Sequence, residues 1–216
     1  MISFQNYKPT VNDISNVSLS FFSENVIVNI RIIKSEGYHA ELHSVITDDA
    51  YILSVHRIRP PHPTAKIVLI MHGLQVNSFS FVLPGNQRSL AFELANNGYD
   101  VWIGNARGTE FSKKHQSLHP NSAKFWDFSF HEIAAYFSCY KSKCLTLRGK
   151  FSRCHSHRGT VVLEADVEAA IEIFRPMIIG IDKMVGWNHA DFLIAKDLAV
   201  VNEKIMKLMK QHSQFD

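Results

Sequence analysis

The chemistry-bearing residues gather in three places. The first is "KIVLIMHGLQVNS", residues 66–78, where a run of apolar, β-branched residues turns sharply at His72-Gly73-Leu74. A buried strand that ends this way leaves backbone amides free at its tip, and free amides can hold a developing negative oxygen. The second is residues 138–159, "SCYKSKCLTLRGKFSRCHSHRG", which carry Cys139, Cys144, Cys154, His155, Ser156 and His157. The third is "GWNHADF", where His189 sits in a loop setting near the C-terminus. Acyl transfer from an ester needs a nucleophile, a base, a group that orients the base and donors for the tetrahedral oxygen. No G-x-S-x-G occurs anywhere in the chain. Its nearest relic is Ser156 in "CHSHRG", with Cys154 two residues before it and Arg158 two after. A nucleophile elbow is a strained turn that needs small side chains at both of those positions. Cys154 is tolerable there; Arg158 is not, and Gly159 comes one residue late.

The same segment fails as a metal site. Its C-x4-C-x9-C-H-x-H spacing matches no common finger or ribbon, so no metal and no cofactor is expected. It holds no acidic residue from Lys141 to Arg158, yet it lacks the aromatic interleaving that single-stranded nucleic acid requires. A formal net charge of only +3 over 216 residues points the same way, and no nucleic-acid partner is expected. Three cysteines leave at least one thiol unpaired within the monomer.

The elements that must position these residues are legible in part. Residues 1–35 are weakly patterned and read as a lead-in. Two short strands, 42–46 and 51–58, flank the turn Thr47-Asp48-Asp49-Ala50. "AKIVLIMHG" reads as a strand buried on both faces. In "SLAFELANNGYDVWIGN", Ser89 is placed to cap a helix, Leu90, Phe92, Leu94 and Ala95 are its apolar positions, and Gly98 is placed to end it before the next buried strand. Strand, helix and strand with short links imply an α/β fold with a mostly parallel sheet and flanking helices. "LEADVEAAIEIF" reads as a helix and "MIIGI" as a short strand. The last helix presents Leu198, Val201, Ile205 and Met209 on one side. The apolar stretch "SLSFFSENVIVNIRII" is interrupted by Glu24, Asn25, Asn29 and Arg31, so no membrane-spanning segment is expected. The N-terminus lacks the basic-then-apolar order of a secretory signal.

Residues from Gly37 to about Phe137 resemble the acid lipases, the α/β-hydrolase group that includes gastric and lysosomal acid lipases. The resemblance rests on "GYHAELHSVITDDAYILSVHRI", "MHGL", "SLAFELANNGYDVWIGNARGTEFSKKH" and "FWDFSFHEIAAY", and near the C-terminus on "WNHADFLIAKDLAVVNEKIMKLM". It implies a partial α/β-hydrolase fold with the cap domain missing. The N-terminal part of the hydrolase domain would span 36–137, the basic Cys/His-rich irregular segment 138–159, and the C-terminal part of the domain 160–216. The chain looks like an internally truncated member.

The resemblance also implies roles. The Leu74 N–H, with Gly73 allowing close approach, would be an oxyanion donor, and such a donor is typically worth about 3 kcal/mol of barrier. His189 would be the base and Ser156 the surviving nucleophile candidate. The family's orienting aspartate has no counterpart among residues 159–163, which leaves Asp166 as a stand-in with Glu164 beside it. Asn105, Arg107, Trp126, Asp127 and Glu132 would serve packing and buried hydrogen bonds. The implied activity is lipase-type carboxylic ester hydrolysis of triacylglycerols or sterol esters, impaired by loss of the nucleophile elbow, at a lipid substrate or surface. The family's location is secreted or lysosomal. The alternative is a non-catalytic, truncated hydrolase-like chain that binds lipid or a protein partner.

Overall fold

The computed structural model describes residues 2–4, 24–62, 65–73, 76–129, 132–133, 151–154, 181–184 and 197–212. Its strands are β1 (Ile2–Phe4), β2 (His39–Ile46), β3 (Tyr51–Arg59), β4 (Ile67–Met71), β5 (Asp100–Gly104), β6 (Lys114–His115), β7 (Phe151–Cys154) and β8 (Ile181–Met184). Its α-helices are α1 (Glu24–Ser35), α2 (Leu90–Asn96) and α3 (Leu198–His212). Short 3-10 turns occupy Ser78–Phe81 and Ala123–Trp126.

The main sheet runs β1-β4-β5-β3-β2, with β6 on the free stretch of β3. The α/β architecture holds, and the sheet is mixed. Among the described residues, β4 and β5 are the main sheet's parallel pair, with α2 between them in the chain; its other described pairings are antiparallel. β2 and β3 form a hairpin about Thr47–Ala50, a turn closed by Thr47 N–H donating to the Tyr51 carbonyl. A separate parallel pair, β7 with β8, starts within the segment read as irregular. Pairing with a strand so distant in sequence leaves no local signal.

Helix α1 lies inside the stretch read as a lead-in. Its sequence, "ENVIVNIRIIKS", is rich in β-branched residues and poor in helix formers. Burial supplies what propensity withholds: Ile30 and Ile33 enter the core and Asn29 is fully buried beside them. The core also takes Ala40, Ile58, Val68, Ile70, Val101 and Ile103 from one sheet face, and Phe92 and Leu94 from α2. From α3 it takes Met206, with Met209 packed against it; Leu198, Val201 and Asn202 complete that helix's buried stripe, and Asn202 donates to the Arg88 carbonyl.

Both α1 and α2 end on a Gly-Tyr pair that feeds a strand. Tyr38 N–H reaches back to the Ile33 carbonyl and Gly37 N–H to Lys34; Tyr99 and Gly98 do the same to Leu94 and Ala95. These are Schellman caps, and they require the left-handed backbone found at Gly37 (φ +89°) and Gly98 (φ +81°). Ser89 stands at the start of α2 as expected, but its hydroxyl donates to the Phe81 carbonyl instead of capping the helix.

The opposite sheet face is pinned by charge. Register sets Glu41 beside Arg57 and Arg57 beside Trp102. Arg57 donates to both Asp100 oxygens, at 2.8 and 2.7 Å, and to Glu41 at 2.9 Å, with its guanidinium 4.9 Å from the Trp102 ring centroid. A one-residue slip of β3, which carries Arg57, would break all of these contacts together.

Gly98 and Gly108 share φ +81°, but only Gly108 is crowded: a Cβ there would lie 2.9 Å from the Trp126 ring and 3.1 Å from Phe128. Gly98→Ala should cost about 1 kcal/mol in denaturant unfolding, the strain of a left-handed alanine alone. Gly108→Ala should cost measurably more. Equal costs would show that the aromatic wall yields freely.

Candidate active site

Because β4 and β5 are parallel with Met71 opposite Gly104, the chain leaves both at the same sheet edge. His72-Gly73 and Asn105-Ala106 therefore emerge side by side. In open α/β sheets the carboxyl ends of parallel strands are where ligands bind.

His72 joins the two exits. Its Nε2 accepts from Ala106 N–H at 3.0 Å, and its Nδ1 lies 2.8 Å from the Gly73 carbonyl oxygen. The tautomer follows from the partners. An amide can only donate, so Nε2 is bare; a carbonyl can only accept, so Nδ1 carries the proton. The ring is neutral and engaged at both nitrogens. Burial depresses its pKa below the ordinary 6.5, while the Gly73 carbonyl pulls weakly the other way. His72 is thus in no position to act as a free base.

Behind Ala106 lies a buried polar network. Asn105 is fully buried; its Oδ1 accepts from Ser78 N–H at 2.9 Å and its Nδ2 donates to the Ser54 carbonyl at 2.9 Å. Ser112 Oγ donates to the Asn105 carbonyl at 3.1 Å and accepts from Ser54 N–H at 2.9 Å. Arg107 is buried, forms a two-pronged pair with Asp49, and stacks its guanidinium 4.1 Å from the Tyr51 ring centroid. Desolvation pushes the Asp49 carboxyl up, but hydrogen bonds from Arg107 and Thr47 outweigh it and hold the pKa below its usual value. Gly108 N–H closes the loop onto the Ser112 carbonyl.

The network contains a serine–histidine pair. Ser78 Oγ lies 3.1 Å from His56 Nδ1 and accepts from Asn29 Nδ2 at 2.7 Å. By residue type this could pass for a hydrolytic dyad. Both side chains have no exposure at all, so no substrate reaches them, and the pair is structural.

Of the residues read from the sequence as site members, Gly73 is described and lies exposed at the β4 exit. Leu74, Ser156, Asp166 and His189 lie outside the described residues, as does Glu164. The sequence reading found neither of His72's bonds, nor the parts played by Asn29, Ser54, His56, Ser78 and Ser112. Apart from the Asn105 carbonyl bound by Ser112, seven positions away, the partners of these last residues are 22 to 58 positions away in the chain, and no local spacing marks such contacts. Among the described residues there is no group of three or more His, Cys, Asp or Glu side chains that could hold a metal. No described helix is long and apolar enough to cross a membrane.

Two effects should be measurable. Arg107→Ala should lower stability by about 3 kcal/mol in denaturant titration, because it strands Asp49 and strips the Tyr51 face. The His72 bonds require a neutral ring, so their stabilisation is complete above the unfolded pKa near 6.5 and is lost as pH falls through the depressed folded value. Between those two pKa values, wild type should lose more stability with falling pH than His72→Gln, which cannot titrate.

Residues 30–85 match the family described as the partial alpha/beta-hydrolase lipase region. The chain is 49% identical over 106 residues to "Lipase 1" of Drosophila melanogaster, a match covering 49% of this chain and 24% of that protein. It is 44% identical over 114 residues to the "Tear acid lipase-like protein" of Mesocricetus auratus, covering 49% of this chain and 28% of that protein. It is 39% identical over 108 residues to "Triacylglycerol lipase 2" of Arabidopsis thaliana, covering 46% and 26%. The chain thus spans about a quarter of the length of the relatives it matches. With a mixed α/β sheet whose parallel strands open onto a His-Gly loop, the matched part of the chain is similar to the acid-lipase-like α/β-hydrolases.

Proposed function

We propose that the chain is built for carboxylic ester hydrolysis of the lipase type, on triacylglycerols or sterol esters, with its activity limited by the nucleophile segment. The observation that carries this reading is the β4 exit: an exposed Gly73 whose carbonyl is bound by a neutral histidine, at the carboxyl end of a parallel strand pair. A rigid loop at that place suits an oxyanion, since donors that need not reorganise during reaction stabilise developing charge best.

In this reading Ser156 Oγ attacks the ester carbonyl and His189 takes its proton. The Leu74 N–H receives the oxyanion, with Gly73 leaving room for the substrate. His189 then passes the proton to the departing alcohol, and water releases the acid by the same route. Asp166 would orient His189. The parallel pairing of β7 with β8 is compatible with the assignment, since the segments that carry Ser156 and His189 follow these two strands in the chain.

Arg158 favours a second reading. A long cation two residues after the serine does not fit a tight elbow, and a chain without a working elbow would bind lipid or a partner and turn nothing over. Hydrolysis of a short-chain chromogenic ester separates the two. The ester reading expects turnover by the chain that Ser156→Ala abolishes. Equal rates for both proteins, at the level of buffer, would sink it and leave the binding reading.

A further inference from the structure

We propose that His72 is a positioning residue: a two-ended clamp that fixes the plane of the peptide following Gly73 by tying it to the Asn105–Gly108 loop, whose Asn105 and Arg107 are buried. The inference rests on the ester-hydrolase reading for its purpose, though not for its geometry.

A trans peptide is planar, and its carbonyl and the next N–H point in opposite directions. Whatever fixes the Gly73 carbonyl therefore also aims the amide that follows it in the chain. His72 Nδ1–H holds that carbonyl at 2.8 Å. A hydrogen bond from an imidazole that was otherwise free would fix little, because the ring could turn. This ring is stopped at its far side, where Ala106 N–H donates to Nε2 at 3.0 Å.

Ala106 is itself unable to drift. Asn105 before it is gripped by Ser78 N–H and the Ser54 carbonyl, and Arg107 after it is paired with Asp49 and packed on Tyr51. The rigidity of a largely buried network thus reaches an exposed glycine through one side chain. The clamp also explains why the neutral ring matters. A protonated Nε2 would face the Ala106 N–H donor to donor, and the far end would open.

The two ends can be cut separately. Asparagine places a donor near the position of Nδ1 and nothing at Nε2; glutamine places an acceptor near Nε2 and nothing at Nδ1. The measurements are the ¹⁵N spectrum of His72 in the wild-type chain, hydrogen exchange at the Ala106 amide, and kcat and KM for a chromogenic ester in wild type, His72→Asn and His72→Gln. Far-UV circular dichroism of each variant confirms that it is folded. The clamp predicts a wild-type ring protonated at Nδ1 and bare at Nε2. It predicts Ala106 protection retained in His72→Gln and lost in His72→Asn. It predicts that kcat falls about tenfold to a hundredfold in both variants with KM nearly unchanged, since a small misplacement of a stabilising group costs rate and not binding.

A wild-type ring protonated at Nε2, or equal Ala106 exchange in all three proteins, would overturn the clamp. Activity that survives in both variants while the exchange pattern holds would overturn its positioning role. If the wild type turns over no ester, the ester reading fails by itself, and the spectrum and the exchange pattern still decide the clamp.

Discussion

Much of this structure depends on one constraint: two parallel strands that end together release two loops at one edge, and the polar backbone of both must be satisfied there. Helices satisfy their own backbone, and so do strands inside a sheet. A loop that leaves a sheet edge into the body of a domain has no such internal solution. Here side chains serve the loop after β5. Asn105 acts as a surrogate peptide, accepting from Ser78 N–H and donating to the Ser54 carbonyl. Ser112 bridges the Asn105 carbonyl and Ser54 N–H, and His72 receives Ala106 N–H. Each is uncharged, which suits a place where an unpaired charge would cost several kcal/mol. The one ion buried there, Arg107, has both a carboxylate and an aromatic face.

Much of this architecture could be read in the sequence where the signal is local. The apolar run of β4, the amphipathic α2 and the glycine that ends it all follow from periodicity and turn chemistry within a dozen residues. The hairpin turn at Thr47–Ala50 does too. Helix α1 was not legible, because Val, Ile and Asn at its centre argue against a helix and only its neighbours argue for one. Asn29 shows the reason well. It sits in the middle of an apolar face, where a polar residue reads as an interruption, yet its amide donates to Ser78 Oγ 49 positions later in the chain. The mixed sheet escaped for a related reason. Strand order and direction are set by contacts between segments, and a buried strand has the same composition whether its neighbour runs with it or against it.

The site divides along the same line. "MHGL" is legible as a short motif, and its exposed Gly73 lies at the end of β4. What makes the loop rigid was invisible, since it comes from Asp49, Ser54, Ser78 and Ser112, residues of ordinary type in ordinary company. A serine and a histidine in contact are not by themselves a nucleophile and its base: Ser78 and His56 meet at 3.1 Å and are sealed from solvent on every side. Exposure distinguishes the two cases, and exposure is a property of the fold.

This division bears on how a hydrolase scaffold and its activity can come apart. The hydrogen-bond partners of the β4 and β5 exits described above all fall between Asn29 and Phe128, within the stretch that forms α1, β2 to β6 and α2. The downstream helix α3 adds apolar burial through Met206 and a bond to the Arg88 carbonyl, but it supplies none of these polar contacts. In the proposed reading, the donor side is assembled by one part of the chain, while Ser156 and His189 belong to another. A defect at the elbow such as Arg158 would, in that reading, act on the nucleophile, whose segment is separate in the chain from the residues that hold the His-Gly loop. Interactions that share no partners contribute independently. A His-Gly loop held in this way is evidence of a fold; whether an ester is turned over is a separate question, which in the proposed reading falls to Ser156 as well as to the loop.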